Sequence, residues 1–89
     1  MRITYTIHAI QRMAERRISR ADVLDVLAAG EVIEEDSDDQ PYPTRLLLGW
    51  PRGPLHVATA IDAAADHQIV VTAYRPDPAV WLPDFRTRR

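Results

Sequence analysis

The chain has 89 residues, which is enough for one domain (1–89), and its 46% of hydrophobic residues is ordinary for a globular protein. The absence of cysteine excludes a disulfide framework and a thiolate metal site, and fits a cytoplasmic protein. No apolar run approaches the roughly 20 residues of a membrane helix, and the start MRITYTIHA is not a signal peptide, so we expect no membrane partner.

The net charge of −2 hides a segregation of charge along the chain. Six acids lie within residues 31–39, EVIEEDSDD, and outside that segment the arginines outnumber the acids. Every basic residue is Arg, whose planar fork suits phosphate and carboxylate groups. A base composition that favours Arg codons is one explanation. An anionic partner for a basic surface is the other.

Two helices are predicted first. Thr6 is a suitable N-cap for a helix that ends near Arg16 or Arg17, and Ser19 is a suitable N-cap for a second helix that stops at Gly30. The buried stripe of the first helix is expected to be its apolar residues at helical spacing, Ile7, Ile10, Met13 and Ala14. The short link between the helices predicts a compact hairpin.

After Gly30 the pattern changes to that of strands. Four are predicted, at 31–35, 45–50, 55–61 and 68–74, separated by polar or Pro-containing turns. Trp81 and Phe85 are expected to pin a Pro-rich tail to the body, with 82–89 partly frayed. The predicted fold class is therefore α+β: an N-terminal helical hairpin packed on one face of an antiparallel sheet of about four strands.

The first helix carries a coherent charged face. At 100° per residue, four side chains fall within about a third of its circumference: His8, Arg12, Glu15 and Arg16. Such a face is ordinarily just solvated, and Glu15 could simply pair with Arg12.

The strands add further candidates. His56 and Tyr74 lie on strands that could turn toward this helix, with Arg45 and Arg75 near strand ends. If these groups converge, they could cleave an RNA phosphodiester without metal: imidazole and phenol groups would move protons and guanidinium groups would stabilise the phosphate. We therefore take His8, Arg12, His56 and Tyr74 as candidate catalytic residues. The binding candidates are Arg16, Arg45, Arg75 and Glu15. The alternative for His56 is a half-buried strand residue bonded to backbone.

Other chemistries find no support. The three histidines have no metal-ligand spacing, the acidic segment lacks the glycine of a calcium loop, and the isolated glycines make no phosphate-cradling loop. We therefore expect no metal and no cofactor. The acidic segment 31–39 either binds a basic partner or covers the basic surface of the chain itself.

Three segments together carry a resemblance to a known family. They are H-A-x-x-R-M-x-E-R-x-I-S-x-x-D-V from His8, P-L-H-V-A from Pro54, and V-T-A-Y-R-P-D-P-x-x-W from Val71. The chain resembles the bacterial family of unknown function DUF4258, which is distantly similar to RelE/ParE-like toxins. The family pattern falls on His8, Arg12, Glu15, Arg16, His56, Tyr74 and Trp81, without assigning them roles.

This resemblance implies a RelE/ParE-like fold and a toxin-like domain of a toxin–antitoxin module, acting as a metal-independent endoribonuclease. Its partners would be RNA and a cognate antitoxin. A non-catalytic module of the same fold that binds protein or nucleic acid is the alternative. A homodimer through the helical hairpin is a third.

Overall fold

Two helices and five strands make up the computed structural model, which describes residues 1–89. The elements in chain order are β1 (Arg2–Tyr5), α1 (Ile7–Arg16), α2 (Arg20–Ala29), β2 (Glu31–Asp36), β3 (Thr44–Gly49), β4 (Leu55–Asp62) and β5 (His67–Tyr74). Neither helix is long and apolar enough to cross a membrane.

The helix boundaries follow local signals in the sequence. The Thr6 hydroxyl accepts the Ala9 backbone N–H at 2.9 Å, and the Ser19 hydroxyl accepts that of Asp22 at 3.0 Å, so both predicted N-caps are confirmed. Helix α1 ends at Arg16, and Gly30 is the C-cap of α2, as predicted. These caps satisfy backbone groups that a helix end leaves without partners.

The sheet has the strand order β1-β5-β4-β3-β2. Strands β2 to β5 pair antiparallel, whereas β1 runs parallel to β5, with Tyr5 opposite Val70. The α+β class is confirmed, but the expectation of four antiparallel strands was wrong: there are five, and the sheet is mixed. Because β1 has only four residues and its partner lies some 65 positions away, no local pattern reveals this pairing.

The orientation of α1 also differs from the expectation. Ala9 and Met13 are its buried residues, while Ile7 and Ile10 are 77% and 50% exposed and Ala14 is exposed as well. Of the apolar stripe predicted to face the core, Met13 is buried as expected, whereas Ile7, Ile10 and Ala14 face solvent. The small Ala9 side chain lets α1 lie close to β5, which it contacts more than any other element.

The hydrophobic core lies between the helices and one face of the sheet. Leu55 and Val57 of β4 point into it, and the intervening His56 points to the other face. Part of that other face is covered by the tail, which closes on itself through backbone hydrogen bonds from Leu82 to Thr87 and from Arg89 to Val80, both 2.8 Å. Fraying of 82–89 stays a prediction.

Candidate functional site

His56 is completely buried beneath the tail, and both ring nitrogens have partners. Nε2 lies 2.6 Å from the Phe85 carbonyl oxygen, which can only accept, so Nε2 must carry the proton. Nδ1 lies 3.2 Å from the Tyr74 hydroxyl and therefore accepts a hydrogen bond from it. Burial lowers the pKa of His56 below its ordinary value of 6.5, which keeps the ring neutral and this tautomer in place.

Tyr74 is the last residue of β5 and pairs directly with His56 in the antiparallel register. The two rings meet edge to face, with centroids 5.3 Å apart. Burial raises the pKa of the Tyr74 phenol above 10, so the hydroxyl stays protonated. The side chain is only half-buried, and beyond its bond to His56 it borders open surface on two sides.

The tail brings Arg88 beside Tyr74. Its guanidinium lies over the Trp81 ring at 4.5 Å and forms two bonds with the Glu34 carboxylate, of 2.7 and 3.1 Å. That pairing lowers the pKa of Glu34 and raises that of Arg88. Trp81 in turn packs edge-on against the His56 ring, with ring centroids 4.6 Å apart. Arg88 is therefore held by one charged contact, to Glu34, and by one aromatic contact, to Trp81.

Two open clefts meet at Tyr74 and Arg88. The first, which we call the basic cleft, is lined by Arg16, Tyr74, Arg75, Asp77, Val80, Trp81 and Arg88. The second, which we call the acidic cleft, is lined by Glu34, Glu35, Asp36, Thr44, Arg45, Leu46, Ala58, Tyr74 and Arg88. Three arginines and one aspartate line the basic cleft, and two of these arginines pair with carboxylates outside it, Arg75 with Asp22 and Arg88 with Glu34.

Arg16 reaches the basic cleft from the end of α1. Strand β1 pairs with β5 only as far as Val70, so the later carbonyls of β5 lack a strand partner on that side. The Arg16 Nη1 donates to the Ala73 carbonyl at 3.0 Å, and the Thr6 hydroxyl donates to that of Val71 at 3.2 Å. Arg16 has no carboxylate within ion-pair distance, so its charge is not neutralised inside the protein.

With this geometry in place, the comparisons identify the family. The model of the domain of unknown function DUF4258 matches residues 5–75. The chain belongs to the DUF4258 family. No curated protein and no solved structure matches it. The match confirms the family resemblance in the sequence; the relationship to RelE and ParE stays a prediction. Because the DUF4258 match ends at Arg75, the tail residues Trp81 and Arg88 lie outside it.

The structure brings together only part of the predicted DUF4258 site. Tyr74, Arg16 and Arg75 line the basic cleft, and His56 lies behind Tyr74. Arg75 donates to the carbonyls of Pro51, Gly53 and Pro54 and contacts Asp22 at 3.5 Å, so it also fixes the β3–β4 turn.

The other four candidates, His8, Arg12, Glu15 and Arg45, lie outside the basic cleft. His8 is exposed in the first turn of α1, about 12 Å along the helix axis from Arg16, and lines neither cleft. Arg12 pairs with Glu15 at 2.8 Å on the helix surface. Arg45 borders the acidic cleft at the sheet edge and pairs with Glu35 at 3.1 Å, and strand alternation directs both side chains toward the face opposite Tyr74.

Sequence reasoning did not select Glu34 or Arg88. Glu34 belongs to the acidic segment, three of whose glutamates pair with arginines: Glu31 with Arg86, Glu34 with Arg88 and Glu35 with Arg45. These partners lie on β3 and in the tail, and none belongs to the charged face of α1, so the two predicted roles of the acidic segment stay predictions. The acids of β2 and the terminal RTRR were the available signals. No group of three or more His, Cys, Asp or Glu residues is placed to hold a metal ion.

Proposed function

We propose that this DUF4258 chain binds the phosphodiester backbone of RNA in the basic cleft. The observation that carries the proposal is the un-neutralised Arg16 guanidinium, which shares this cleft with Arg75, Arg88 and the neutral Tyr74 hydroxyl. A guanidinium has five N–H donors, so Arg16 keeps donors for a phosphate while it holds the Ala73 carbonyl.

Asp77 favours RNA over DNA as the ligand. One oxygen of its carboxylate accepts the Ala79 N–H at 2.8 Å, and the other remains an acceptor at the wall of the basic cleft. A 2′-hydroxyl is the donor that distinguishes RNA from DNA at such a position.

The test compares two arginines of the same helix. Arg16→Gln removes a cleft charge, whereas Arg12→Gln, the matched control, removes a charge already paired with Glu15 outside the cleft. Fluorescence anisotropy with a labelled single-stranded RNA of about 12 nucleotides measures affinity between about 50 and 200 mM salt. We expect Arg16→Gln to weaken RNA binding several-fold. It should also reduce the slope of log affinity against log salt concentration by about one.

Arg12→Gln should leave both quantities close to those of the unmodified chain. Equal affinities for the two variants, or an affinity that does not change with salt, would refute the proposal. A DNA oligonucleotide of the same sequence should bind more weakly, and Asp77→Ala should remove that difference.

Cleavage of the bound RNA by a toxin-like domain is a second candidate, favoured by the hydrogen bond between Tyr74 and His56. The 2′-oxygen would attack phosphorus as the P–O5′ bond breaks, its proton would pass to the Tyr74 oxygen while the Tyr74 proton moves to Nδ1 of His56, and water would protonate the leaving 5′-oxygen. Arg16 and Arg88 would stabilise the charge on the phosphate. The lowered pKa of His56 opposes this relay, which is why binding comes first.

Cleavage is tested by expressing the chain without neighbouring gene products. Growth arrest and RNA fragments that disappear in Tyr74→Phe and persist in His8→Ala would establish a ribonuclease and motivate a search for a cognate antitoxin. Intact RNA at high expression of folded protein would exclude cleavage and leave RNA binding as the proposed function.

A further inference from the structure

One flank of α1 is an exposed apolar surface. Ile7, Ile10 and Ala14 lie within about 60° of one another around the helix, centred about 110° from the buried Ala9 and Met13. We call these three residues the α1 stripe. A helix on a sheet normally turns its apolar face inward, and a contiguous exposed one indicates an interaction surface.

Two arginines lie near the α1 stripe. Arg17, the C-cap of α1, follows Ile10 by seven residues, and Arg20 stacks over the ring of Tyr5, which lies just before α1, at 4.9 Å. Neither arginine pairs with a carboxylate, whereas six other arginines do: Arg12, Arg45, Arg52, Arg75, Arg86 and Arg88. The surface thus combines an apolar stripe with a basic rim.

We infer that the α1 stripe docks an acidic amphipathic helix of a partner protein. Leucine-like side chains of the partner would cover Ile7 and Ile10, and its carboxylates would meet Arg17 and Arg20. The ten residues of α1 span about 15 Å, which matches a partner helix of similar length.

A second copy of the chain fits this surface less well. Two copies packed through α1 would bring their Arg17 and Arg20 side chains together. The glutamates of β2 cannot relieve that repulsion, since Glu31, Glu34 and Glu35 already pair with arginines of their own chain. The stripe also lies away from the basic cleft, which Arg16 enters from the other side of the helix, so both sites can be occupied together.

The experiment titrates the full chain with a synthetic helical peptide of about 14 residues that carries leucines at helical spacing and glutamates elsewhere. A second peptide replaces every glutamate with lysine. Calorimetry should show binding of the glutamate peptide alone. Ile7→Ser with Ile10→Ser should weaken it about tenfold or more, and Arg17→Glu should weaken it as well.

Val32→Ser is the matched control, because Val32 is an exposed apolar residue at the far edge of the sheet, and it should not alter peptide affinity. Amide shift mapping of the unmodified chain gives a second readout, with changes expected at residues 7–20. Equal binding of the two peptides, no loss in the double variant, or light scattering that shows a dimer through this face would overturn the inference. RNA affinity should be the same in the double variant, which separates this surface from the basic cleft.

Discussion

Arg88 and Glu34 form a two-bond ion pair that ties the tail to the edge strand β2 beside Tyr74. Carboxylate and phosphate compete for the same guanidinium fork. Glu34 therefore limits how much of the charge of Arg88 is available to an anion in the basic cleft.

Replacing Glu34 should consequently strengthen RNA binding. In Glu34→Gln the charge of Arg88 is no longer balanced by a carboxylate, and we expect a few-fold higher affinity and a steeper dependence on salt. Glu35→Gln is the control, since it frees Arg45 on the opposite face and should have a smaller effect. An affinity for Glu34→Gln at or below that of the unmodified chain would show that the pair serves to position Arg88.

The buried His56 makes stability depend on pH. Because burial lowers its folded pKa, the unfolded chain takes up a proton first, once pH falls below about 6.5. The contribution of the neutral His56 to the free energy of unfolding should be fully present above that pH. It should fall as the pH approaches the folded pKa, by at most about 1.4 kcal/mol per pH unit. Urea unfolding between about pH 7.5 and 5.5 measures this slope. His56→Gln should flatten it, and His8→Gln should not.

The two tryptophans should differ sharply in their contribution to stability. Trp81 is 2% exposed and supports both His56 and Arg88, whereas Trp50 is 55% exposed and touches Phe85 with ring centroids 6.0 Å apart. We expect Trp81→Ala to lower the free energy of unfolding by about 3 kcal/mol and Trp50→Ala by about 1 kcal/mol or less. Similar losses measured by urea unfolding would mean that the tail does not anchor through Trp81.

Gly49 leaves no room for a side chain beneath α2. A Cβ at this position would lie 2.7 Å from a methyl carbon of Val26, closer than such atoms can approach. Gly49→Ala should therefore destabilise the protein by about 1–3 kcal/mol in thermal unfolding. Combining it with Val26→Ala should recover part of the loss in Gly49→Ala, because the obstructing methyl group is gone. Strictly additive losses would contradict the clash.

Local signals in the sequence predicted both helices and four of the five strands. The hydroxyl caps Thr6 and Ser19 and the alternation along β4 are interactions within a few residues, and the structure contains all of them. The pairing of His56 with Tyr74 was accessible too, since both face away from the core in adjacent antiparallel strands.

The remaining features depend on distant partners. The outward turn of α1 follows from the close contact of Ala9 with β5 and from the Ala73 carbonyl, which needs a donor from Arg16. The place of Arg88 depends on how the tail folds back to Glu34, 54 residues earlier. The hydrophobic periodicity of the sequence carries no information on the orientation of α1 or on the position of Arg88.

The cover over His56 has a consequence for other DUF4258 chains. The family match stops at Arg75, yet Trp81 and the Phe85 carbonyl are what insulate the imidazole here. A relative that carried the same imidazole and phenol but no such cover would present them to water.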